Sequence, residues 1–164
     1  MKNLLRSFNQ RILQPNRQVS IGKALVFTVV SLIGFADATY LTVKHFLHQI
    51  PPCTIQGCET VLTSSYSVVL GMPVSLLGAI FYAAVAVLSI VYIDTKKPQS
   101  LNALLFITHL GLIASLWFVF LQAFVIHAWC QYCLASAATS AILWVYARWI
   151  VRKTKGSVVA NPAM

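Results

Sequence analysis

The sequence predicts an all-α integral membrane protein: a four-transmembrane-helix bundle with a short amphipathic helix in the first external loop. The chain has 164 residues, of which 59% are hydrophobic and only 9% are charged, and its mean hydropathy is +0.78. A soluble domain carries about 25% charged residues, so most of this surface must face something other than water. The apolar runs are continuous, which favours helices, because barrel strands would alternate polar and apolar residues.

Four segments are long and apolar enough to cross a bilayer, since a crossing needs about 20 residues. They lie at residues 23–46, 73–93, 101–121 and 130–150. These bounds predict an N-terminal segment (1–22), a transmembrane domain (23–150) and a tail (151–164). The run "ALVFTVVSLIGFADA" also fits a signal-peptide core with an A-x-A cleavage site. An uncleaved helix is favoured because a long, mostly polar segment precedes that run.

The basic residues predict the orientation of the bundle. Eleven of the twelve Lys and Arg residues lie before the first span, between the second and third, or after the fourth, and only Lys44 lies near the other side. By the positive-inside rule, both termini and the middle loop face the cytoplasm. The net charge of +9 is therefore a topology signal, and nucleic-acid binding is a poor explanation for it.

All four cysteines fall on the predicted non-cytoplasmic side, Cys53 and Cys58 in the first loop and Cys130 and Cys133 at the start of the last span. Compartments on that side of a bacterial inner membrane or an endoplasmic reticulum membrane are oxidising, so disulfide chemistry is permitted. A C-x-x-C disulfide closes a very short loop and gains little as a staple. In the first turn of a helix such thiols are favoured as thiolates, the species that attacks disulfides. The pattern favours two redox-active pairs, one meeting an aqueous partner and the other a membrane-soluble acceptor such as a quinone.

Two other interpretations of the cysteines stay open. They could ligate zinc, since C-x-x-C is a common half-site, although the unequal spacings and the oxidising side disfavour this. They could also be static staples in a structural membrane protein without redox activity.

The stretch after Cys58 predicts a short amphipathic helix on the membrane surface. Its apolar residues recur at helical spacing, with Thr and Ser residues on the other side: Val61, Leu62, Tyr66, Val69 and Leu70. Gly71 is expected to end this helix, and Pro73 suits the first turn of the next span. Such a helix would cover the mouth of the bundle.

Four ordered elements, "CTIQGC", "CETVLTSSY", "GMPVSLLG" and "HAWCQYC", resemble those of bacterial homologues of vitamin K epoxide reductase (VKOR). The resemblance covers about residues 22–150 and depends on the order and separation of the whole set. It identifies residues 23–150 as a VKOR-like domain. The other quinone-linked disulfide-generating membrane protein of bacteria carries its C-x-x-C in the first external loop, the reverse of the order here.

The resemblance implies a thiol:quinone oxidoreductase of the bacterial inner membrane. It makes Cys130 and Cys133 the active pair, with Cys133 beside the quinone (ubiquinone or menaquinone), and Cys53 and Cys58 the shuttle pair. It implies that a reduced periplasmic thioredoxin-fold (DsbA-like) protein attacks at Cys58, and that the freed Cys53 thiolate attacks Cys130. No thioredoxin-like domain is expected in the tail, so the partner would be a separate protein. Ser64 lies where the family has a serine near the quinone head group.

Two positions depart from the vertebrate members. Val74 stands where many members have an Asn that can bind the quinone, and Ala137 stands where the vertebrate members have a Tyr. Both departures disfavour an endoplasmic reticulum enzyme that reduces vitamin K epoxide, which stays an alternative.

Asp37 is the only acidic residue inside a predicted span. Ionisable groups are expensive inside membranes and are often functional there. Asp37 is therefore a candidate for a proton-transfer or quinone-binding role. The simpler interpretation is an interfacial residue paired with Lys44.

Overall fold

The computed structural model describes residues 21–95 and 98–159; the predicted N-terminal segment up to residue 20, the loop residues 96 and 97, and the tail residues 160–164 lie outside the described residues. The described chain forms five α-helices. They are α1 (Ile21–Phe46), α2 (Cys58–Leu62), α3 (Val74–Thr95), α4 (Pro98–Phe120) and α5 (Gln131–Val159). All except α2 are long and apolar enough to cross a membrane. The predicted four-helix membrane bundle is confirmed.

Two helix ends differ from the prediction. The third span continues to Ile126, because a π-helical turn, Leu121–Ile126, prolongs α4. Helix α5 does not end near residue 150 but continues to Val159, so the predicted tail begins as helix. The prediction followed the run of apolar residues, which ends near residue 150. A polar sequence can continue a helix beyond the membrane, so the helix is longer than the apolar run.

The four long helices form a ring in which α1 contacts α3 and α5, and α4 contacts the same two helices. Their shared core contains large buried side chains from each helix, among them Phe27, Tyr82, Leu104 and Leu143. In the most apolar 18-residue stretch of each span, only 22% to 33% of the residues are buried inside the protein. Large apolar side chains cover the outside of the ring, as expected where the solvent is lipid.

Helices α1 and α3 approach closely at Gly34. A Cβ atom at this position would overlap the ring of Tyr82. The hydroxyl of Tyr82 reaches across to α5, where it donates to the carbonyl oxygen of Ser136 at 2.6 Å and lies 3.0 Å from the Oγ atom of Ser140. Small residues at helix contacts and hydrogen bonds across them are typical of membrane bundles.

The predicted amphipathic helix is present but shorter than its apolar spacing indicated. Helix α2 ends at Leu62, and a 3₁₀ turn (Ser65–Ser67) and a two-stranded hairpin follow, β1 (Val68–Val69) and β2 (Met72–Pro73). Ser64 breaks the helix with an extended backbone and donates its hydroxyl to the carbonyl oxygen of Val61 at 2.7 Å. Such local side-chain bonds compete with helix formation. Leu70 and Gly71 at the hairpin tip have φ of 52° and 79°, the backbone of a two-residue hairpin turn.

Candidate active site

The two cysteine pairs lie together at one end of the bundle. Cys53 and Cys58 form a disulfide with a Cα–Cα distance of 6.4 Å, whereas Cys130 and Cys133 are free thiols. Cys58 and Cys130 are 2% and 0% exposed and share one apolar cluster with Val61, against which Cys53 and Cys133 pack. The structure thus holds one oxidised and one reduced pair side by side.

Cys130 caps the N-terminus of α5. Its carbonyl oxygen accepts the first helical hydrogen bond, from the amide of Leu134 at 3.0 Å. Its own amide donates to the Oε1 atom of Gln122 at 2.9 Å. Gln122 is 2% exposed and belongs to the π-helical turn. Single π-helical turns often occur at functional sites, and here the turn directs a buried side chain toward a cysteine.

The surroundings of Cys130 favour its thiolate form. A hydrogen bond from the Cys133 thiol lowers the pKa of Cys130 to about 7, although burial opposes the shift. The backbone N–H groups of Cys133 and Tyr132 lower this pKa further, whereas the charge of Asp37, when it is ionised, raises it. Free N–H groups in the first turn of a helix stabilise negative charge. Cys130 is therefore suited to thiol–disulfide exchange at neutral pH, in which a thiol of lower pKa leaves faster.

A cavity of about 930 Å³ opens beside the cysteines. Its lining comes from the four long helices and from the loop around α2, and it includes Asp37, Ser64 and Cys133. These are the three residues for which the sequence predicts a cofactor contact. Small-molecule sites are typically concave and mostly apolar, with a few convergent polar groups. This cavity has that character.

Asp37 lines this cavity. Its Oδ2 atom is buried and makes no hydrogen bond within the described residues. Lys44 donates to the Oε1 atom of Gln49 at 2.9 Å and lies over the ring of Tyr40. The expected pairing of Asp37 with Lys44 is therefore not formed.

The cavity is lined by three hydroxyl groups that the sequence did not single out, those of Tyr82, Ser136 and Ser140. Val74 and Ala137, the two positions that depart from the vertebrate members, also line the cavity but bring no polar side-chain atom to it. Gln122 was also missed. A polar residue inside an apolar run, eight positions before Cys130, was the available signal.

The loop disulfide is not equally accessible at its two ends. Cys58 is buried at the start of α2, while Cys53 is partly exposed. A protein partner attacking at Cys58, as the resemblance implies, would first have to move α2. In this disulfide-bonded state Cys53 is the end that water reaches.

The disulfide also bears on the zinc interpretation, because it occupies two of the four sulfur atoms. Within residues 21–95 and 98–159, no group of three His, Cys, Asp or Glu side chains is placed to hold a metal ion.

The chain is similar to one family of known proteins. The model of the vitamin K epoxide reductase family matches residues 25–148. The match includes both cysteine pairs and the whole of the cavity lining. No curated protein matches the chain.

Proposed function

The chain belongs to the vitamin K epoxide reductase family, and from this membership we propose that it is a membrane enzyme that generates disulfides and reduces a quinone. Members of the family are oxidoreductases that use quinones as electron carriers. The specific proposal is that the protein reoxidises a separate thioredoxin-fold (DsbA-like) protein of the periplasm and passes two electrons to ubiquinone or menaquinone.

One observation carries the proposal. An oxidised pair, Cys53–Cys58, and a reduced pair, Cys130 and Cys133, pack in one cluster, and Cys133 also lines the large cavity. Disulfide exchange needs a thiolate next to a disulfide sulfur. Electron transfer to a quinone needs a thiol next to an apolar site that can hold the ring. This arrangement supplies both at adjacent positions.

The proposed relay consists of two exchanges and one redox step. The partner dithiol reduces the loop disulfide and leaves as a disulfide. A loop thiolate then attacks the sulfur of Cys130, Cys133 leaves as a thiolate, and the second loop thiolate resolves the mixed disulfide. The Cys130–Cys133 dithiol finally loses two electrons to the quinone and closes again. Each turnover converts one partner dithiol and one quinone into one partner disulfide and one quinol.

The accessibility of the loop pair favours one order of attack. The partner reaches Cys53, which is partly exposed, and the released Cys58 attacks Cys130, beside which it is buried. Entry at Cys58 is the order that the resemblance implies, and it requires α2 to open first.

The quinone needs two electrons and two protons. When Cys130 is a thiolate, the active pair supplies only one proton, from the Cys133 thiol. We assign the second proton to the protonated form of Asp37, the acidic residue in the cavity whose Oδ2 atom has no hydrogen-bond partner among the described residues. Asp37 is left as a carboxylate by this step and regains a proton from water before the next turnover. We propose that Ser64, which lines the cavity, contacts a carbonyl oxygen of the quinone by exchanging its bond to Val61 for one to the quinone.

The proposed location is the bacterial inner membrane, with both termini in the cytoplasm and the cysteine pairs in the periplasm. The distribution of basic residues supports this orientation. An impermeant maleimide added to reduced, intact spheroplasts should label Cys53 from outside. Labelling of Cys53 only after the membrane is opened would reverse the orientation.

The redox state of a co-expressed DsbA-like oxidase tests the function. We expect this oxidase to accumulate as a disulfide when the chain and a quinone are both present, and as a dithiol when either is missing. A structural subunit would leave the redox state unchanged. A metal-binding protein would respond to chelators rather than to quinone, and a vitamin K epoxide reductase would consume the epoxide.

A further inference from the structure

The loop that carries Cys53 is bound to α5 by the two residues that separate Cys130 from Cys133. The hydroxyl of Tyr132 donates to the carbonyl oxygen of Pro52 at 2.7 Å. The Oε1 atom of Gln131 accepts two hydrogen bonds from Thr54, one from the amide at 3.0 Å and one from the hydroxyl at 2.5 Å. The peptide units on either side of Cys53 are thus both held by the C-x-x-C segment.

The other end of the loop is fixed at Gly57. This residue has a φ of 105°, and a Cβ atom there would lie 3.1 Å from the Cβ atom of Ala128 and 3.1 Å from the amide nitrogen of Trp129. A side chain at this position would therefore crowd the backbone that leads into Cys130. The loop backbone touches the segments before and after Cys130.

These contacts join positions 77 and 80 residues apart in sequence. They connect the two pairs that must exchange a disulfide, and they involve neither the sulfur atoms nor the cavity. Holding two reactants in a productive geometry raises their effective concentration. Because these hydrogen bonds lie at the surface, their loss should slow the disulfide exchange more than it destabilises the folded bundle.

We propose that Gln131 and Tyr132 are positioning residues that hold the loop pair against the helix pair for their disulfide exchange. The proposal rests on the proposed function, because it concerns the internal step of that relay. In this step a loop thiolate forms a bond to the sulfur of Cys130, and the Cys130–Cys133 bond breaks. The loop dithiol is oxidised, the helix disulfide is reduced, and the departing thiolates take up the protons.

The internal step can be followed by itself. The full-length protein with both pairs oxidised is mixed with an excess of a reduced DsbA-like oxidase in the absence of quinone. Samples are quenched with acid, alkylated and analysed by mass spectrometry, so that loop thiols and helix thiols are counted separately. Tyr132→Phe removes one hydroxyl, Gln131→Met removes the acceptor at similar length, and the double variant removes both contacts. Tyr40→Phe is the matched control, because it removes a hydroxyl from the ring that packs against Tyr132.

We expect the Cys53–Cys58 disulfide to be reduced at an unchanged rate in the variants. Reduction of the Cys130–Cys133 disulfide should slow about fivefold in each single variant, which is the equivalent of one hydrogen bond. The double variant should be slower still, and Tyr40→Phe should match the unmodified protein. Unchanged helix reduction in the double variant, or an equal slowing of both steps, would overturn the proposal. If the unmodified protein never passes reduction from the loop to the helix pair, the proposed function itself fails, which is a separate result.

Discussion

The amide of Cys130 donates a 2.9 Å hydrogen bond to the buried side chain of Gln122, which comes from the π-helical turn at the end of α4. This bond joins the third span to the N-terminus of the fourth at Cys130. It satisfies a backbone donor that no water reaches, because Cys130 is fully buried. The position of the Cys130 sulfur, which a loop thiolate attacks in the proposed relay, therefore depends on a residue of the preceding helix.

Replacing Gln122 should destabilise the protein. Gln122→Met removes the acceptor and leaves the buried amide of Cys130 unpaired, which costs about 1–3 kcal/mol. Denaturant unfolding of the purified protein in detergent measures this loss. Gln49→Met is the control, since Gln49 loses only an exposed bond to Lys44. Equal stability of the two variants would show that the Gln122 bond contributes nothing.

The reactivity of Cys130 should depend on pH around neutrality. The hydrogen bond from Cys133 and the helical N–H groups lower the pKa of Cys130 to about 7, so the thiolate is present above pH 7 and is lost as the pH falls below it. In the reduced protein, the rate of Cys130 alkylation by iodoacetamide, followed by mass spectrometry, should have its midpoint near pH 7. Cys133→Ala removes the largest cause and should move the midpoint to higher pH. A midpoint in the unmodified protein near the ordinary thiol value of about 8.5 would contradict the assigned hydrogen bonds.

The sequence predicted the parts of this protein that depend on composition and local pattern. Long apolar runs identify the four spans, because a helix that satisfies its own backbone is the favoured way through lipid. The C-x-x-C motif likewise singles out the two cysteines that the structure shows as free thiols at the start of α5. The bond between Gln122 and Cys130, and the absence of a partner for the Oδ2 atom of Asp37 within the described residues, depend on which helices become neighbours. Their residue types alone do not give that information.

The first loop shows where local pattern is insufficient. The apolar spacing predicted a helix to Leu70, but the chain turns back there in a hairpin. The strand pairing of Val69 with Met72 and the local bonds of Ser64 compete with helix formation. Spacing alone does not decide between these alternatives.

Asp37→Asn should impair quinone reduction selectively. The amide has the size of the carboxyl group but is a much poorer proton donor, and loss of a positioned acid costs about 100-fold in rate. Turnover with a short-chain quinone should fall accordingly, while reduction of the loop disulfide by a DsbA-like oxidase keeps its rate. Asp94→Asn, at the exposed end of α3, is the control. Normal quinone turnover in Asp37→Asn would remove Asp37 from the mechanism.

Ser64→Ala should weaken the use of quinone. It removes the hydroxyl that lines the cavity next to α2, and we expect KM for a short-chain quinone to rise about fivefold, as for one lost hydrogen bond. Disulfide exchange between the loop pair and a DsbA-like oxidase should not change. Thr139→Val provides the comparison, because its hydroxyl also bonds to its own helix backbone, at Ala135. A KM unaffected by Ser64→Ala would mean that the hydroxyl does not contact the quinone.

The relay from the loop pair through Cys130 and Cys133 to the quinone is tested most directly in the Cys133→Ala variant. The trapped disulfides of the purified variant are identified by mass spectrometry, and quinol is measured by absorbance after a reduced DsbA-like oxidase and a short-chain quinone are added. We predict no quinol. Before the oxidase is added, we predict a disulfide between Cys130 and a loop cysteine, which forms when the Cys130 thiolate attacks the loop disulfide and the other loop cysteine leaves as a thiolate. Cys58 as the partner would support entry at Cys53, and Cys53 as the partner would support entry at Cys58. Normal quinol formation by Cys133→Ala would contradict the account, because no other thiol of the pair would then line the cavity.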